Sequence, residues 1–297
     1  MNRHIAPVLA IIFHFATASL PAAEPPPAVA ALKTAGINVS AMKEGGWNVE
    51  VREAKDLDDN IWKQIETLPD MRRFSANGEQ FDDAALARLA KIGGIETLFS
   101  NGPGITDAGL AALAAMPKLR SFGVDHSTKI TGSGLAALKV SANLTAIHFG
   151  GCIIGDAGVA TLVQLTQLRD VALGHTRITR ASFPLLAKLP HLERIEITPN
   201  WDPQPYTAAD FAAFAPMNNL RELELHDMVL PWENGLAHLA ALKSLKTVKL
   251  YWCYLADADA AKLKAGLPGV EVDIRNPAGE DRLKQFNERV EKLRAGK

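Results

Sequence analysis

Cysteine is scarce in this sequence, with only Cys152 and Cys253 among 297 residues, and aromatic residues make up just 6% of the chain. Long runs of one charge are also missing. The hydrophobic fraction of 47% and the charged fraction of 22% are nevertheless too apolar for a disordered chain. The length is compatible with one or two compact domains, or with one elongated array of repeats.

A basic surface is not apparent in the composition, because 32 Lys and Arg residues nearly balance 33 Asp and Glu residues. The formal net charge is −1, which argues against nucleic-acid binding. Common catalytic signatures are absent as well, including H-E-x-x-H, C-x-x-C, the phosphate-binding G-x-x-x-x-G-K-[ST] and G-x-S-x-G. The run GPGITDAG does not fit G-x-G-x-x-G. We therefore expect a protein without enzymatic activity and without a cofactor.

The N-terminus has the pattern of a secretory signal peptide: a basic start, an apolar run from Ile5 to about Leu20, then small residues. Cleavage near Ala22 or Ala23 predicts that residues 1–23 are removed. An uncleaved anchor and a buried helix remain as alternatives. The run is short for a membrane span, and His14 interrupts it. This reading predicts a secreted or periplasmic protein with no membrane span after cleavage.

Internal repetition organises most of the chain. The segments that begin at Ile95, Leu144 and Leu168 are each 24 residues long and carry apolar residues in the same columns. Related segments bring the number of consecutive units to eight, and the remaining five begin at Met71, Leu119, Leu192, Leu220 and Leu245.

Each unit contains two patterns. The first half has the form L-x-x-L-x-L, which suits a short strand with one buried face. The second half spaces its apolar residues as a helix does, and a large apolar residue such as Ile105 or Ile130 stands between the halves. The residue after it is often a helix N-cap type, as at Asp82, Thr106, Thr131, Thr179 and Thr207. A single unit cannot bury both faces, so neighbouring units must stack into a solenoid.

These columns resemble leucine-rich repeats, and ITDAGL at Ile105 to Leu110 is similar to the cysteine-containing subfamily found in F-box-type proteins and in bacterial secreted repeat proteins. The resemblance implies an α/β leucine-rich repeat solenoid, which is a curved right-handed stack with a parallel concave sheet and with helices on the convex side. It also implies binding as the usual activity, with no particular partner. The eight repeats are expected within residues 71–275.

The ends of a solenoid need covers, because an exposed terminal repeat leaves apolar surface and a strand edge in water. Residues 24–70 are expected to form an N-terminal cap with a degenerate first repeat. Val270, Val272 and Ile274 predict a last strand. The segment 276–297 then places apolar residues on one side of a predicted capping helix, at Leu283, Phe286, Val290 and Leu293.

Both cysteines occupy one column of the repeat, which they share with Ser127, Thr176, Asn200 and Met228. In leucine-rich repeats this column faces inward. Four strand spacings separate Cys152 from Cys253 by about 19 Å, which excludes a disulfide between them. Burial also argues against a reactive thiol.

The histidines after the leader are spread over different repeats and show no metal-ligand spacing. His148 and His226 both fall on concave strand positions, but about 14 Å apart, which is too far for one ion. The sequence therefore predicts scattered surface histidines and no metal site.

The outward strand positions define the surface available to a ligand. Its centre has small residues, whereas its C-terminal third is charged and close to the inserted loops that carry Trp and Tyr, residues enriched at binding hot spots. A recognition patch, mutual packing of the rings and unrelated scatter all fit this pattern. We expect a monomer that binds a protein partner, with a carbohydrate or envelope polymer as the alternative. The predicted binding residues are Trp201, Glu222, Glu224, His226, Trp232, Lys249, Tyr251, Trp252 and Tyr254.

Overall fold

A computed structural model describes residues 24–199, 208–230 and 235–275, together with residues 279, 281, 284, 285 and 288. The strands form one 11-stranded sheet whose spatial order follows the sequence. Their bounds are β1 Asn38–Ala41, β2 Trp47–Val51, β3 Met71–Asn77, β4 Thr97–Asn101, β5 Ser121–Asp125, β6 Ala146–Gly150, β7 Asp170–Thr176, β8 Arg194–Pro199, β9 Glu222–His226, β10 Thr247–Tyr251 and β11 Glu271–Arg275.

Helical segments connect the strands. The α-helices are α1 Pro27–Thr34, α2 Asp59–Thr67, α3 Asp83–Leu89, α4 Asp156–Leu162, α5 Phe183–Leu186, α6 Ala208–Ala212 and α7 Asp257–Gly266. The 3₁₀ segments are η1 Ala54–Asp56, η2 Gly109–Ala115, η3 Ser133–Val140, η4 Arg180–Ser182 and η5 Leu236–Ala241. Within the three described ranges, none of the helices has the length and apolar character needed to cross a membrane.

The predicted leucine-rich repeat solenoid is confirmed. The eight strands β3 to β10 begin in the eight repeat units, and the pairs from β2–β3 to β10–β11 are all parallel. Apolar residues at equivalent strand positions stack into a continuous core, as Leu98, Phe122 and Ile147 do. Burying each such side chain stabilises the fold by roughly 1.5–3 kcal/mol before the loss of conformational entropy is counted.

Two local features depart from the sequence prediction. The first strand, β1, is antiparallel to β2, so a hairpin stands at the N-terminal edge of the otherwise parallel sheet. Several predicted helices are 3₁₀ segments, as η2, η3 and η5 are, whereas α3 and α4 are α-helical. In the predicted C-terminal capping segment the described residues Asp281, Lys284, Gln285 and Glu288 are helical and exposed, whereas its four apolar positions lie outside the described residues.

Neighbouring repeats make close contact through the Asp of the D-A-G motif and the glycine at the equivalent last position, Gly134, of the next repeat. Asp107 accepts hydrogen bonds from the backbone N–H of Thr131 at 3.0 Å and from its hydroxyl at 2.6 Å. Burial alone raises the pKa of Asp107, but these bonds outweigh it and the pKa is lowered. A side chain at Gly134 would overlap the backbone of Asp107, so glycine allows the repeats to approach this closely.

The chain turns sharply one residue before the inward column, at or near the end of each strand. Immediately before that column, His126, Gly151, His175, Asp227 and Trp252 all have φ values between 50° and 62°. This left-handed conformation turns the chain so that the next side chain points inward.

The inward side chains donate to backbone carbonyls. Ser127 donates to the Ile105 oxygen at 2.7 Å, Cys152 to Val124 at 3.4 Å and Cys253 to Leu225 at 3.3 Å. Both cysteines are free and buried. Burial raises the pKa of the Cys152 thiol to about 11 and that of Cys253 to about 12, which suppresses the reactive thiolate.

Candidate functional site

The concave face, here the sheet surface formed by the outward strand positions, carries two aligned rows of side chains. One row runs Ser121, Ala146, Asp170, Arg194, Glu222 and Thr247, and the other runs Phe99, Gly123, His148, Ala172, Glu196, Glu224 and Lys249. The first row is small in β5 and β6, and the second row has small residues in β5 and β7, on either side of His148. Both rows are charged in β8 and β9, and Lys249 extends the charge to β10.

Arg194 is the centre of the charged part. Its guanidinium contacts Asp170 at 3.0 Å, Glu196 at 2.9 Å, Glu222 at 3.0 Å and Glu224 at 2.9 Å. Because these carboxylates lie on β7, β8 and β9, one side chain ties three strands together. Burial alone lowers the pKa of Arg194, but Asp170 and the other carboxylates raise it above its ordinary value.

Lys249 and His226 complete this cluster. The Lys249 ammonium donates to Glu222 at 2.6 Å, and it is 3.6 Å from Glu224. His226 Nε2 lies 2.8 Å from Glu224 Oε1. Burial alone raises the pKa of Glu224, but the bonds to His226 and Arg194 lower it to about 2. Glu224 is therefore charged at neutral pH although only 7% of its surface is exposed.

The charged cluster, defined as Asp170, Arg194, Glu196, Glu222, Glu224 and Lys249, remains acidic. Its four carboxylates give −4 and its two cations give +2, so the net charge is −2 with neutral histidines. The ion pairs hold all six side chains in fixed directions. Fixed charges of this kind favour binding, because less side-chain entropy is lost when a partner arrives.

Five of the nine sequence-predicted site residues come together here: Glu222, Glu224, His226, Lys249 and Tyr251. Tyr251 donates its hydroxyl to Asp273 at 3.1 Å. Its ring meets the His226 ring edge-on with centroids 5.1 Å apart, and the Arg275 guanidinium lies 5.3 Å from its centroid. Tyr251 is thus half-buried in polar contacts rather than presented as a free ring.

Trp252 and Tyr254 lie at the turn beyond β10. Trp252 is 50% exposed, whereas Tyr254 is half-buried and is held by a parallel bridge to Val229. Trp201 and Trp232 fall outside the described residues. Trp252 is therefore the member of the predicted aromatic group that the described part of the chain presents to solvent.

His148 and His226 lie on different repeats, but each lies beside a carboxylate, which the sequence did not indicate. His148 Nε2 is 3.2 Å from Asp170 Oδ2, close enough for an ion pair but not aligned for a hydrogen bond. Burial alone raises the pKa of Asp170, but His148 and Arg194 outweigh it and the pKa is lowered.

His226 also approaches a geometry suited to a metal ion. One donor atom each from Glu196, Glu224 and His226 lie within 4.8 Å of one another. However, Arg194 Nη2 already bonds to both glutamates, and Lys249 lies beside Glu224. A divalent ion would be repelled by two resident cations, so we assign these residues to the ion-pair network.

The small residues at the centre of the concave face, which the sequence predicted, form a recess in the surface. A pocket of about 460 Å³ spans β4 to β8, lined by Phe99, Asp125, His148, Asp170, Arg194 and Glu196 above a floor of small residues. The missed signal was the neighbouring small residues Gly123, Gly150, Ala172 and Gly174, which leave space between larger side chains.

Comparisons with known proteins show the fold and no closer relationship. No family model and no curated protein matches the sequence. Among solved structures, the complex of TLR13 with ssRNA13 is similar at 15% identity and a TM-score of 0.50, covering 76% of this chain and 32% of that chain. An internalin (inlF) from Listeria monocytogenes matches at 16% identity and a TM-score of 0.49, covering 75% of this chain and 71% of that chain. The internalin C2 of the same organism matches at 20% identity and a TM-score of 0.45, over 68% and 89% of the two chains.

Proposed function

We propose that this chain is a secreted or periplasmic, non-enzymatic module that binds a protein partner on the concave face and the adjoining C-terminal aromatic turns. The observation that carries the proposal is the charged cluster, in which Arg194 holds four carboxylates in fixed positions. Such a cluster supplies specificity through charge complementarity. Its net charge of −2 suits a partner with a basic surface.

Trp252 supports the same proposal from the edge of the concave face. Its φ of 58° is a conformation that costs an L-residue roughly 1–2 kcal/mol, and half of the side chain is exposed. A large apolar ring in a strained and exposed position contributes little to the stability of the fold. It can serve as an anchor for a binding partner.

A pull-down from the native envelope fraction tests the proposal with two matched variants. Ala146 lies on the concave face in β6, and Ala136 is exposed on η3 in the helical layer. Tryptophan at position 146 blocks the face sterically without removing a native contact, whereas Ala136→Trp adds the same bulk elsewhere. We expect Ala146→Trp to lose the captured partner and Ala136→Trp to retain it. Equal capture by both variants would refute the concave site.

A carbohydrate or envelope polymer is the second candidate, and the exposed indole of Trp252 favours it because aromatic faces stack on sugars. A glycan array separates the two candidates. Saturable glycan binding that Trp252→Ala abolishes and Ala146→Trp leaves intact would support the carbohydrate alternative.

The assignment to the secretory route rests on the leader pattern, and it includes cleavage after residue 22 or 23. We further propose the division into a cap at 24–70, repeats at 71–275 and a terminal helix at 276–297, and similarity to the cysteine-containing repeat subfamily. N-terminal sequencing of the exported protein tests the first part. A mature chain that begins at Met1 would contradict it.

A further inference from the structure

The central pocket exists because glycine occupies positions where neighbouring strands carry side chains. A Cβ at Gly123 would lie 2.8 Å from the Phe99 ring, and one at Gly150 would overlap the Asp125 carboxylate. Phe99 and Asp125 therefore lean over the glycines of the next strand. Together they form the N-terminal wall of the recess, and Arg194 and Glu196 form the opposite wall.

The charge in this recess is negative. Asp125, Asp170 and Glu196 contribute −3 and Arg194 contributes +1, giving −2 with neutral histidines. Two of these carboxylates are already used, because Arg194 bonds to both Asp170 and Glu196. Within the described part of the chain, the Asp125 carboxylate makes neither a hydrogen bond nor an ion pair.

Asp125 and Phe99 thus combine an available carboxylate with an aromatic ring at one end of an acidic recess. This combination matches a guanidinium, which donates in its plane to both oxygens of a carboxylate and stacks on an aromatic face. An ammonium meets the carboxylate as a point charge and makes less use of the ring. An anion would be repelled by the net charge of the recess.

We propose that the central pocket receives an arginine side chain of the protein partner, with Asp125 bound to its guanidinium and Phe99 packed against its plane. This inference rests on the proposed function and specifies what the concave face recognises. The charged cluster at β7 to β10 would orient the rest of a basic partner segment, because it adjoins the pocket through Asp170, Arg194 and Glu196.

The test uses small probes, which do not require the natural partner. N-acetyl-arginine methylamide is titrated into ¹⁵N-labelled protein, and N-acetyl-citrulline methylamide serves as the neutral probe of nearly the same shape. We expect saturable shifts of the Gly123, Gly150, Gly151 and Gly174 amides with the arginine probe, with a dissociation constant on the order of millimolar. The citrulline probe should give shifts at least fivefold smaller at equal concentration.

Variants then assign the contacts. Asp125→Asn keeps the shape of the side chain and should weaken binding of the arginine probe at least fivefold, because a charge-assisted pair becomes a neutral one. Phe99→Leu should weaken it about two- to fivefold through loss of the ring. Glu50→Gln removes one negative charge from the same sheet face in β2, two strands from Phe99, and should leave binding within twofold.

Equal shifts with both probes, shifts that map away from these glycines, or unchanged binding in Asp125→Asn would overturn the inference. The wild-type titration is decisive even if a variant fails to fold. If Ala146→Trp abolishes partner capture while the arginine probe does not bind, the concave face remains the docking surface and only the arginine pocket is rejected.

Discussion

Arg194 Nη2 donates to Glu224 Oε2 at 2.9 Å and to Glu196 Oε2 at the same distance. Glu196 and Glu224 are directly opposite in the adjacent strands β8 and β9. Two like charges in this position destabilise a sheet unless a cation separates them. Arg194 is that cation, so the acidic concave face and the stability of the solenoid depend on the same side chain.

Replacing Arg194 with Met should therefore destabilise the fold strongly. The change leaves four carboxylates close together, and we expect the free energy of unfolding to fall by about 2–4 kcal/mol, somewhat less than for a fully buried pair. Urea denaturation at neutral pH measures the loss. Arg169→Met is the matched control, because Arg169 is 54% exposed and, among the residues that the structure describes, pairs with Glu193 alone. Its expected cost is below about 1 kcal/mol, and equal losses in the two variants would contradict the central role of Arg194.

Acid should weaken the charged cluster in a defined window. The pKa of Glu224 is about 2 in the folded chain, below its ordinary value of 4.5. A depressed pKa contributes stability above the unfolded value, and that contribution is lost as the pH falls from about 4.5 toward about 2. For Glu224 the loss is at most about 3 kcal/mol.

Urea unfolding at several pH values between 5 and 2.5 measures this dependence. Glu224→Gln cannot titrate at this position, so its free energy of unfolding should fall less steeply across the window than that of the wild type. Parallel curves for the two proteins would show that Glu224 does not have a depressed pKa.

Two buried serines should respond in opposite directions to replacement by Ala. Ser100 stands in a strand column whose next members are Val124 and Phe149, and its hydroxyl has no hydrogen-bond partner among the residues that the structure describes. Ser127 donates to the Ile105 carbonyl at 2.7 Å. We expect Ser100→Ala to raise the free energy of unfolding by about 1 kcal/mol and Ser127→Ala to lower it by about 1–2 kcal/mol.

Thermal and urea unfolding of these two variants check the direction of each change. A loss of stability in Ser100→Ala as large as that in Ser127→Ala would mean that the Ser100 hydroxyl is satisfied in the folded protein.

The left-handed backbone conformation of Trp252 should lower the free energy of unfolding relative to a glycine at this position. Glycine adopts a φ of 58° without strain, whereas alanine does not. We expect Trp252→Gly to be more stable than Trp252→Ala by about 1 kcal/mol. Both variants should lose affinity for the partner. If both lose several kcal/mol of stability and keep their affinity, the indole serves packing rather than recognition.

The periodicity of the sequence was sufficient to predict the architecture. Leucine spacing sets the strand register, and this register alone places Cys152 and Cys253 in the inward column. The outward positions followed from the same register. Arg194 and Glu196 are among these outward positions. Their ion pairs could not be predicted, because a strand pattern gives the direction of a side chain but not its distance from side chains on other strands.

The pocket was missed for a related reason. Gly123, Gly150 and Gly174 have no side chains, and a glycine in a linear sequence does not by itself indicate a binding site. Only the alignment of adjacent strands shows that Gly123 lies between Phe99 and His148, and that Gly150 lies between Asp125 and Gly174. Likewise, the β1–β2 hairpin lies before the repeats begin, where no periodicity indicates how the strands pair.

Site-specific photo-crosslinking tests the central claim, which is that recognition takes place on the concave face. A benzophenone side chain is introduced separately at Ser121, Ala146 and Thr247, which share one outward row, and at Ala136 in η3. After illumination in the native envelope fraction, we predict a discrete adduct of the same mass from the three sheet positions and none from position 136. Adducts of equal yield from position 136, or from position 136 alone, would contradict binding on the concave face.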